Sequence, residues 1–222
     1  MNQSVNLVVF PLQAELHEFL KYLSKFSKLE ETKFPNFKTH FAPDLNTHFA
    51  RCGHGKVQAA IQTQQILYQL GGIEHVFCLG AAGGIGKNLK IGDVVVSEKT
   101  IEHDFIEKFK PQALPTFATD SATREKLTLY APTTFAIHFG AIASGDEDIT
   151  DEKRANEIAL NTSALAVAWE GAGVARTARL NKISFTEIRA ISDLANGSAS
   201  TDFAQNLGPA MQNLSSTMLH IF

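Results

Sequence analysis

Cysteine is scarce in this sequence, which contains two, Cys52 and Cys78, among 222 residues. Both stand alone in apolar stretches, so they provide neither the paired spacing of a metal site nor a disulfide framework. No apolar run approaches the roughly 20 residues that a membrane-spanning helix needs. The N-terminus also lacks the basic segment and long apolar core of a secretory signal. We therefore expect a soluble, cytoplasmic protein with no membrane partner.

A surplus of positive charge is also missing, because 20 lysines and arginines face 23 aspartates and glutamates, for a net charge of −3. This balance argues against a nucleic-acid partner, and no block of like charge suggests a disordered tail. We see no internal repeat. With 44% hydrophobic residues, the chain is long enough for one sizeable core, and we expect a single domain over residues 1–222.

Apolar runs that resemble buried strands alternate with helical patterns through most of the chain. The predicted strands are 6–10, 47–52, 75–79, 135–143, 165–167 and 183–191, with a turn and strand over 90–97. The predicted helices are 13–20, 58–70, 124–131, 151–160 and 202–221, and a further helical pattern follows residue 170 and breaks near Asn181. Such alternation predicts an α/β fold with a mostly parallel central sheet, helices over it and a ligand cleft at the carboxyl ends of the strands. Residues 29–45 suggest a hairpin or an excursion. Residues 101–123, which include Pro111, suggest a lid, a binding loop or a poorly ordered segment.

Three carboxylates stand where a predicted strand passes into the next segment. Glu15 lies in the first helical turn after the first strand, Glu170 follows 165–167, and Asp193 ends 183–191. Acids brought together at strand ends are suited to binding a polyol and donating a proton. They are equally suited to helix starts, with Glu15 and Glu170 compensating helix dipoles and Asp193 capping a helix. The residues alone leave both interpretations open.

Two segments rich in glycine follow predicted strands. The first is Gly53-His54-Gly55-Lys56, and the second is Gly80-Ala81-Ala82-Gly83-Gly84-Ile85-Gly86. Small residues let a ligand or a crossing segment approach the backbone, and a helix N-terminus favours an anion. Neither segment is a P-loop or a GxGxxG fingerprint, so a dinucleotide-binding protein is disfavoured.

Taken in order, these junctions resemble the purine nucleoside phosphorylase/nucleosidase superfamily, and most of all its 5′-methylthioadenosine/S-adenosylhomocysteine nucleosidase branch. Seven segments carry the resemblance: VFPLQAE at 9–15, GHGKVQAA at 53–60, GAAGG at 80–84, KIGDVVVS at 90–97, SGD at 144–146, WEGA at 169–172 and AISD at 190–193. The resemblance implies a three-layer αβα sandwich with a central mixed, mostly parallel sheet. It also implies a homodimer whose partner completes the 5′ pocket, for which apolar residues of 101–117 are candidates.

The resemblance further implies cleavage of the N-glycosidic bond of a purine nucleoside without a metal or a cofactor. No arginine precedes Gly80, where phosphorylases of the superfamily place one for phosphate, and Glu15 stands where nucleosidases activate water. Hydrolysis is therefore expected. Glu170 would bind the ribose 2′- and 3′-hydroxyls, and Asp193, with a pKa raised by burial, would protonate purine N7. Ser192 either orients Asp193 or caps the next helix.

Four residues depart from the family pattern and bear on the substrate. Ala81, in the same segment as the substrate-binding candidate Gly83, replaces a serine or threonine. Asp148 replaces a residue that commonly stacks on the base, although Ile149 still offers its backbone. Trp169 replaces a methionine beside the ribose and has a larger face for stacking. His54 stands at a usually apolar position of the 5′ pocket, where it either suits a polar 5′ group or is a hydrogen-bonded turn residue.

The leading hypothesis is a hydrolase for 5′-methylthioadenosine, S-adenosylhomocysteine or a related 5′-modified adenosine. A futalosine-type or other purine nucleoside hydrolase, and a phosphate-dependent phosphorylase, are the alternatives among enzymes. A catalytically silent nucleoside-binding module is disfavoured because all three acids are present.

Overall fold

The structure is a computed structural model that describes residues 5–110 and 112–222, so Pro111 of the predicted loop lies outside the described residues. The strands are β1 (Val5–Phe10), β2 (Glu30–Lys33), β3 (Lys38–Ala42), β4 (Thr47–Arg51), β5 (Ile73–Gly84), β6 (Val94–Glu102), β7 (Thr116–Ala118), β8 (Ile137–Ser144), β9 (Ala164–Ala168) and β10 (Ser184–Asp193). The helices are α1 (Gln13–Leu23), α2 (Lys56–Leu70), α3 (Ser121–Thr128), α4 (Glu152–Thr162), α5 (Gly171–Asn181) and α6 (Ala199–Ile221).

All the described strands belong to one mixed sheet. Its order is β10-β6-β8-β9-β5-β1-β4-β3-β2, and β7 adds to β6. The pairs β1–β4, β1–β5, β5–β10, β6–β8 and β8–β9 are parallel, whereas β2–β3, β3–β4, β5–β9, β6–β7 and β6–β10 are antiparallel. The predicted α/β class and mixed sheet are confirmed. Residues 29–45 form the hairpin that the sequence suggested.

The sheet differs from the flat middle layer of the expected three-layer sandwich because part of it closes on itself. β10 pairs with β5 as well as with β6, which joins β5, β9, β8, β6 and β10 into a ring. Small and medium side chains from all five ring strands pack together, including Ala82, Val95, Ile142, Ala166 and Ile191. Strands can close in this way only when their interior is filled by side chains of matching size.

Helices cover both faces of the sheet beside this ring. Val8 and Phe10 of β1 pack with α1 and α6, whereas Leu7 and Val9 pack with α2 and α5. Successive residues of a strand point to opposite faces, so a strand buried on both sides becomes the continuous apolar run that the sequence has at 6–10. Because these clusters share the sheet, we propose that the chain forms a single domain, as the sequence predicted.

The glycine-rich segment was expected to follow a strand that ends at residue 79, but residues 80–84 continue β5. Glycine and alanine are poor strand formers, yet pairing with β10 and with β9 holds them extended. The sequence predicted that another group approaches the backbone of this segment, and this is so at Gly80. A Cβ added there would lie 2.7 Å from Glu15 Oε1 and 2.6 Å from Arg189 Nη1. Charged side chains of the protein itself therefore occupy the space over this glycine.

The segment 101–123 is more regular than a loop, because it includes the end of β6, all of β7 and the start of α3. Phe105, Ile106 and Phe109 in its middle are exposed. None of its described residues lines the cavity presented below. None of the helices within residues 5–110 and 112–222 is both long enough and apolar enough to cross a membrane.

Candidate active site

A cavity of about 330 Å³ opens at the carboxyl ends of β5, β9 and β10, beside the start of α1. This volume lies in the range of small-molecule sites. All ten residues predicted from the sequence line it: Glu15, His54, Ala81, Gly83, Asp148, Ile149, Trp169, Glu170, Ser192 and Asp193. The alternation of strands and helices therefore brings residues up to 178 positions apart to one edge of the sheet.

Glu15 lies in the first turn of α1 and is 2% exposed. Its Oε2 accepts a hydrogen bond from the Leu12 N–H (2.8 Å), and its Oε1 accepts one from the Ala81 N–H (2.8 Å). Burial raises its pKa to about 7, although the Arg189 charge and the two N–H donors oppose the shift. A carboxyl group that titrates near neutral pH is suited to accept a proton from water.

Glu170 stands at the N-terminus of α5, as expected for a helix N-terminal acid, but its side chain makes no hydrogen bond to that helix. Its Oε1 instead lies 3.0 Å from His54 Nδ1 and accepts a hydrogen bond from the Gly55 N–H (3.1 Å). Burial raises the pKa of Glu170, but the His54 bond, the Arg189 charge and the Gly55 N–H outweigh it, and the pKa lies below its usual value. Glu170 is therefore held as an anion.

The turn between β4 and α2 delivers these donors to Glu170. Gly53 and Gly55 have φ angles of 85° and 86°, in the left-handed region that glycine adopts without strain. The N–H of Lys56 donates to Asp146 Oδ1 (2.8 Å), which fixes the turn against the segment after β8. The sequence predicted that a ligand or another segment approaches the backbone of this turn. In the structure its N–H groups bind the protein's own carboxylates, Glu170 and Asp146.

Asp193 is the last residue of β10 and pairs with Gly83 of β5 in the parallel register. Its Oδ1 accepts from the Ala195 N–H (2.9 Å), and its Oδ2 accepts from the Ser192 hydroxyl (2.8 Å). α6 begins only at Ala199, so neither residue caps it. Burial raises the pKa of Asp193 against these two donors. This shift favours a protonated carboxyl group, which is what a general acid needs.

At the cavity wall, the His54 ring stacks on the Trp169 indole, with centroids 4.2 Å apart and planes 25° apart. One face of the indole is therefore covered by the His54 ring. The Glu170 bond raises the pKa of His54. His54 is thus both a hydrogen-bonded turn residue and a cavity residue. Asp148 is exposed at the mouth, and Ile149 is buried next to it.

Arg189 is the main residue of the cavity that the sequence reasoning missed. It is 1% exposed, and its Nη2 lies 3.3 Å from Glu170 Oε2. The signal was available, because an arginine interrupts the apolar run Phe185-Thr186-Glu187-Ile188-Arg189-Ala190-Ile191. Phe203 of α6 also lines the cavity. An amphipathic helical pattern such as that of 202–221 marks a core-facing side and carries no sign of a ligand contact.

Comparisons with known proteins agree with the fold and with the order of these segments. The family model of the phosphorylase superfamily matches residues 7–221. The 5′-methylthioadenosine/S-adenosylhomocysteine nucleosidase of Thermotoga maritima is 32% identical over 152 residues, which cover 68% of each chain. The crystal structure of the Neisseria meningitidis enzyme of the same name, in complex with methylthio-immucillin-A, has a TM-score of 0.85 and 27% identity, and 98% of each chain is covered. The Helicobacter pylori futalosine hydrolase shares the fold, with a TM-score of 0.84, 22% identity and coverage of 98% of this chain and 97% of that one.

Proposed function

The chain belongs to the phosphorylase superfamily, and we propose that it hydrolyses the N-glycosidic bond of a purine nucleoside. The substrate proposed is 5′-methylthioadenosine, S-adenosylhomocysteine or a related 5′-modified adenosine, the class named for its relatives. One observation carries the proposal. Glu15, Glu170 and Asp193 line the same cavity, and the pKa values of Glu15 and Asp193 are raised while that of Glu170 is lowered.

This pattern matches the charges that the reaction needs. Cleavage passes through a positively charged, oxocarbenium-like ribose, and the purine leaves more readily when it is protonated. The raised pKa of Asp193 favours its protonated form, and Asp193 donates this proton to the leaving base. Glu170 stays ionised, accepts hydrogen bonds from the ribose hydroxyls and stabilises the developing positive charge. Glu15 takes a proton from the attacking water.

Water is favoured over phosphate by the charge of the cavity. Among the described residues that line it are five carboxyl side chains, those of Glu15, Glu147, Asp148, Glu170 and Asp193, and one arginine. That arginine already pairs with Glu170 and Glu187. A phosphate dianion would have to displace these carboxylates, and the repulsion between like charges opposes it.

The test is release of free base from a nucleoside panel in phosphate-free buffer. The panel contains 5′-methylthioadenosine, S-adenosylhomocysteine, adenosine, inosine and futalosine. We expect base and free sugar from the 5′-thio-substituted adenosines, with no acceleration by phosphate. Strict dependence on phosphate, with formation of a sugar 1-phosphate, would identify a phosphorylase instead. Preference for futalosine would identify the alternative hydrolase.

Asp193→Asn tests the general acid. It keeps the shape of the side chain but removes the acid proton, and we expect kcat to fall about 10²- to 10⁴-fold. Asp120→Asn is the matched control, because Asp120 caps α3 away from the cavity and its replacement should affect stability alone. Unchanged turnover of Asp193→Asn on every substrate of the panel would show that the assigned mechanism is wrong.

We also propose a homodimer. Val57, Ile61 and Tyr68 form an exposed apolar stripe on α2, and Phe105 and Ile106 are exposed in the segment after β6. Apolar side chains grouped in this way are typical of an interface. Light scattering should give twice the chain mass, and Ile61→Asp should give the monomer. A monomeric wild type at micromolar concentration would contradict the proposal.

We propose a cytoplasmic location on the basis of the thiols. Cys52 and Cys78 are both free and buried, as expected for a protein of a reducing compartment. Fractionation of cells that express the tagged chain should find it with cytosolic markers, and recovery with secreted proteins would contradict this proposal.

A further inference from the structure

β10 carries two charged side chains, Glu187 and Arg189, inside the protein. They are two residues apart and therefore on the same face of the strand. Glu187 is 0% exposed and Arg189 1%. Burying a charge is costly unless it is paired and hydrogen-bonded, and replacing such a pair by apolar side chains is often neutral or stabilising. The presence of this pair therefore calls for a role beyond packing.

The guanidinium of Arg189 spans the distance between Glu187 and the cavity. Its Nε donates to Glu187 Oε1 (2.9 Å), on the side away from the cavity. Its Nη2 faces Glu170 Oε2 at 3.3 Å. Its Nη1 lies with Glu15 Oε1 over Gly80. The guanidinium is planar, so fixing its Nε side also fixes the direction in which its terminal nitrogens point.

Glu187 is itself held in place and does not line the cavity. The Thr100 hydroxyl donates to Glu187 Oε2 at 2.5 Å. At Gly171, the first residue of α5, an added Cβ would overlap both Glu187 carboxylate oxygens. Glu187 is therefore enclosed by β6, β10 and α5, and it reaches the cavity only through Arg189.

We propose that Glu187 is a positioning residue, which holds the Arg189 guanidinium from behind and shares its charge so that Glu15 keeps the proton affinity of a base. The inference rests on the proposed function, in which Glu15 accepts a proton from water. Three carboxylates compete for one cation. The more of its charge Arg189 shares with Glu187, the less it stabilises ionised Glu15.

Four titratable groups surround the guanidinium, and the one that is not a carboxyl group leaves this competition intact. They are Glu15 from α1, Glu170 before α5, Glu187 from β10 and the Cys78 thiol from β5, which is 3.5 Å from Arg189 Nη2. Burial raises the pKa of the Cys78 thiol well above its usual value, so the thiol is neutral. His54 approaches the other oxygen of Glu170.

The test is Glu187→Gln, with the pH dependence of kcat/KM as the readout. Glutamine preserves the shape of the side chain but removes one negative charge. Ionised Glu15 is then better stabilised, its pKa falls, and the acid limb of the profile moves to lower pH by about half a unit or more. kcat falls several-fold because the base is weaker and the guanidinium less fixed, while KM changes little.

Two further variants separate positioning from stability. Asp93→Asn removes a buried carboxylate that contacts His138, outside the cavity. It should lower stability and leave the acid limb in place. Thr100→Val keeps both charges, but Glu187 loses one donor and draws more of the Arg189 charge, so the acid limb should move to higher pH, by less than in Glu187→Gln. Thr100→Val also tests the proposal if Glu187→Gln does not fold.

An unmoved acid limb in Glu187→Gln and Thr100→Val, with lowered stability, would overturn the proposal and leave Glu187 a purely structural residue. ¹³C NMR titration of the Glu15 carboxyl in wild type and in Glu187→Gln measures the same coupling without turnover. If the wild type releases no base from any nucleoside, the proposed function fails. The titration still decides whether Glu187 controls the proton affinity of Glu15.

Discussion

The two carboxyl groups at the helix starts that flank the cavity have pKa shifts in opposite directions. Glu15 at α1 and Glu170 before α5 are both 2% exposed and line the same cavity. The pKa of Glu15 is raised to about 7, whereas that of Glu170 is lowered. Burial raises both, so the partners decide the direction. Glu15 has two backbone N–H donors and a share of Arg189, whereas Glu170 has His54, the Gly55 N–H and its own contact with Arg189.

This difference divides the chemistry between two residues of the same type. Burial and the nearby Glu170 charge outweigh the donors around Glu15, so Glu15 holds its proton until near neutral pH and is suited to exchange it. The His54 bond, the Arg189 charge and the Gly55 N–H outweigh burial at Glu170, which remains an anion and is suited to stabilise positive charge. The two regions show that burial alone does not define a catalytic acid or base, because the charges and donors around the carboxyl group set its protonation state.

Replacing Glu15, the carboxyl group suited to exchange a proton, should give the largest loss of activity. Glu15→Gln keeps an oxygen for the Leu12 or Ala81 N–H but cannot accept the proton, so kcat should fall about 10³-fold in base-release assays. Glu18→Gln on the outer side of α1 is the control and should retain activity. Wild-type kcat in Glu15→Gln would remove Glu15 from the reaction.

Replacing Glu170, the residue held as an anion, should lower activity less than replacing Glu15 and should also affect KM. Glu170→Gln leaves Arg189 and His54 without their carboxylate, so kcat/KM should fall about 10²-fold, with a rise in KM. Steady-state kinetics over a range of substrate concentrations separates the two constants. A lower kcat with unchanged KM would place Glu170 in the transition state alone and weaken its assignment to ribose binding.

The two carboxylates should also affect the free energy of unfolding in opposite pH ranges. A raised pKa means that folded Glu15 retains a proton that the unfolded chain releases, so stability falls by up to about 3 kcal/mol between pH ~4.5 and ~7. Glu15→Gln should abolish this decline. The lowered pKa of Glu170 contributes stability above pH ~4.5 that is lost as the pH falls further, and Glu170→Gln should abolish that loss.

Urea unfolding at several pH values measures both slopes. Glu18→Gln should follow the wild-type curve. Parallel curves for wild type and Glu15→Gln between pH ~4.5 and ~7 would mean that Glu15 has no raised pKa in the folded protein.

The smallest loss of activity should come from removing the hydrogen bond that His54 makes to Glu170. His54→Phe retains stacking on Trp169 but removes the bond to Glu170, so the pKa of Glu170 should rise. We expect kcat/KM to fall about tenfold at neutral pH, and more at lower pH where Glu170 becomes protonated. A matched change on the other side of the stack, Trp169→Met, should alter substrate preference without moving the pH profile.

Most of the site was predictable because a local pattern marked each residue. Glu15, Glu170 and Asp193 each follow an apolar strand, and strand ends meet at one edge of an α/β sheet. Arg189 and Glu187 were harder to interpret, because each was one polar residue within an apolar strand. The extension of β5 through Gly80 was missed for another reason. Poor strand formers are held there by pairing with β9 and β10, which no local propensity reports.

The amino-acid sequence by itself determined most of the order of strands and helices, the α/β class and the three carboxylates that the family pattern marks. The hydrophobic periodicity and the apolar content of a segment depend on a few neighbouring residues, so they can be recognised without a structure. Only the tertiary structure decided the closure of five strands into a ring, the place of Arg189 between Glu15 and Glu170, and the opposite pKa shifts of those two acids. Protonation depends on burial and on donors far away along the chain, and folding alone brings these together.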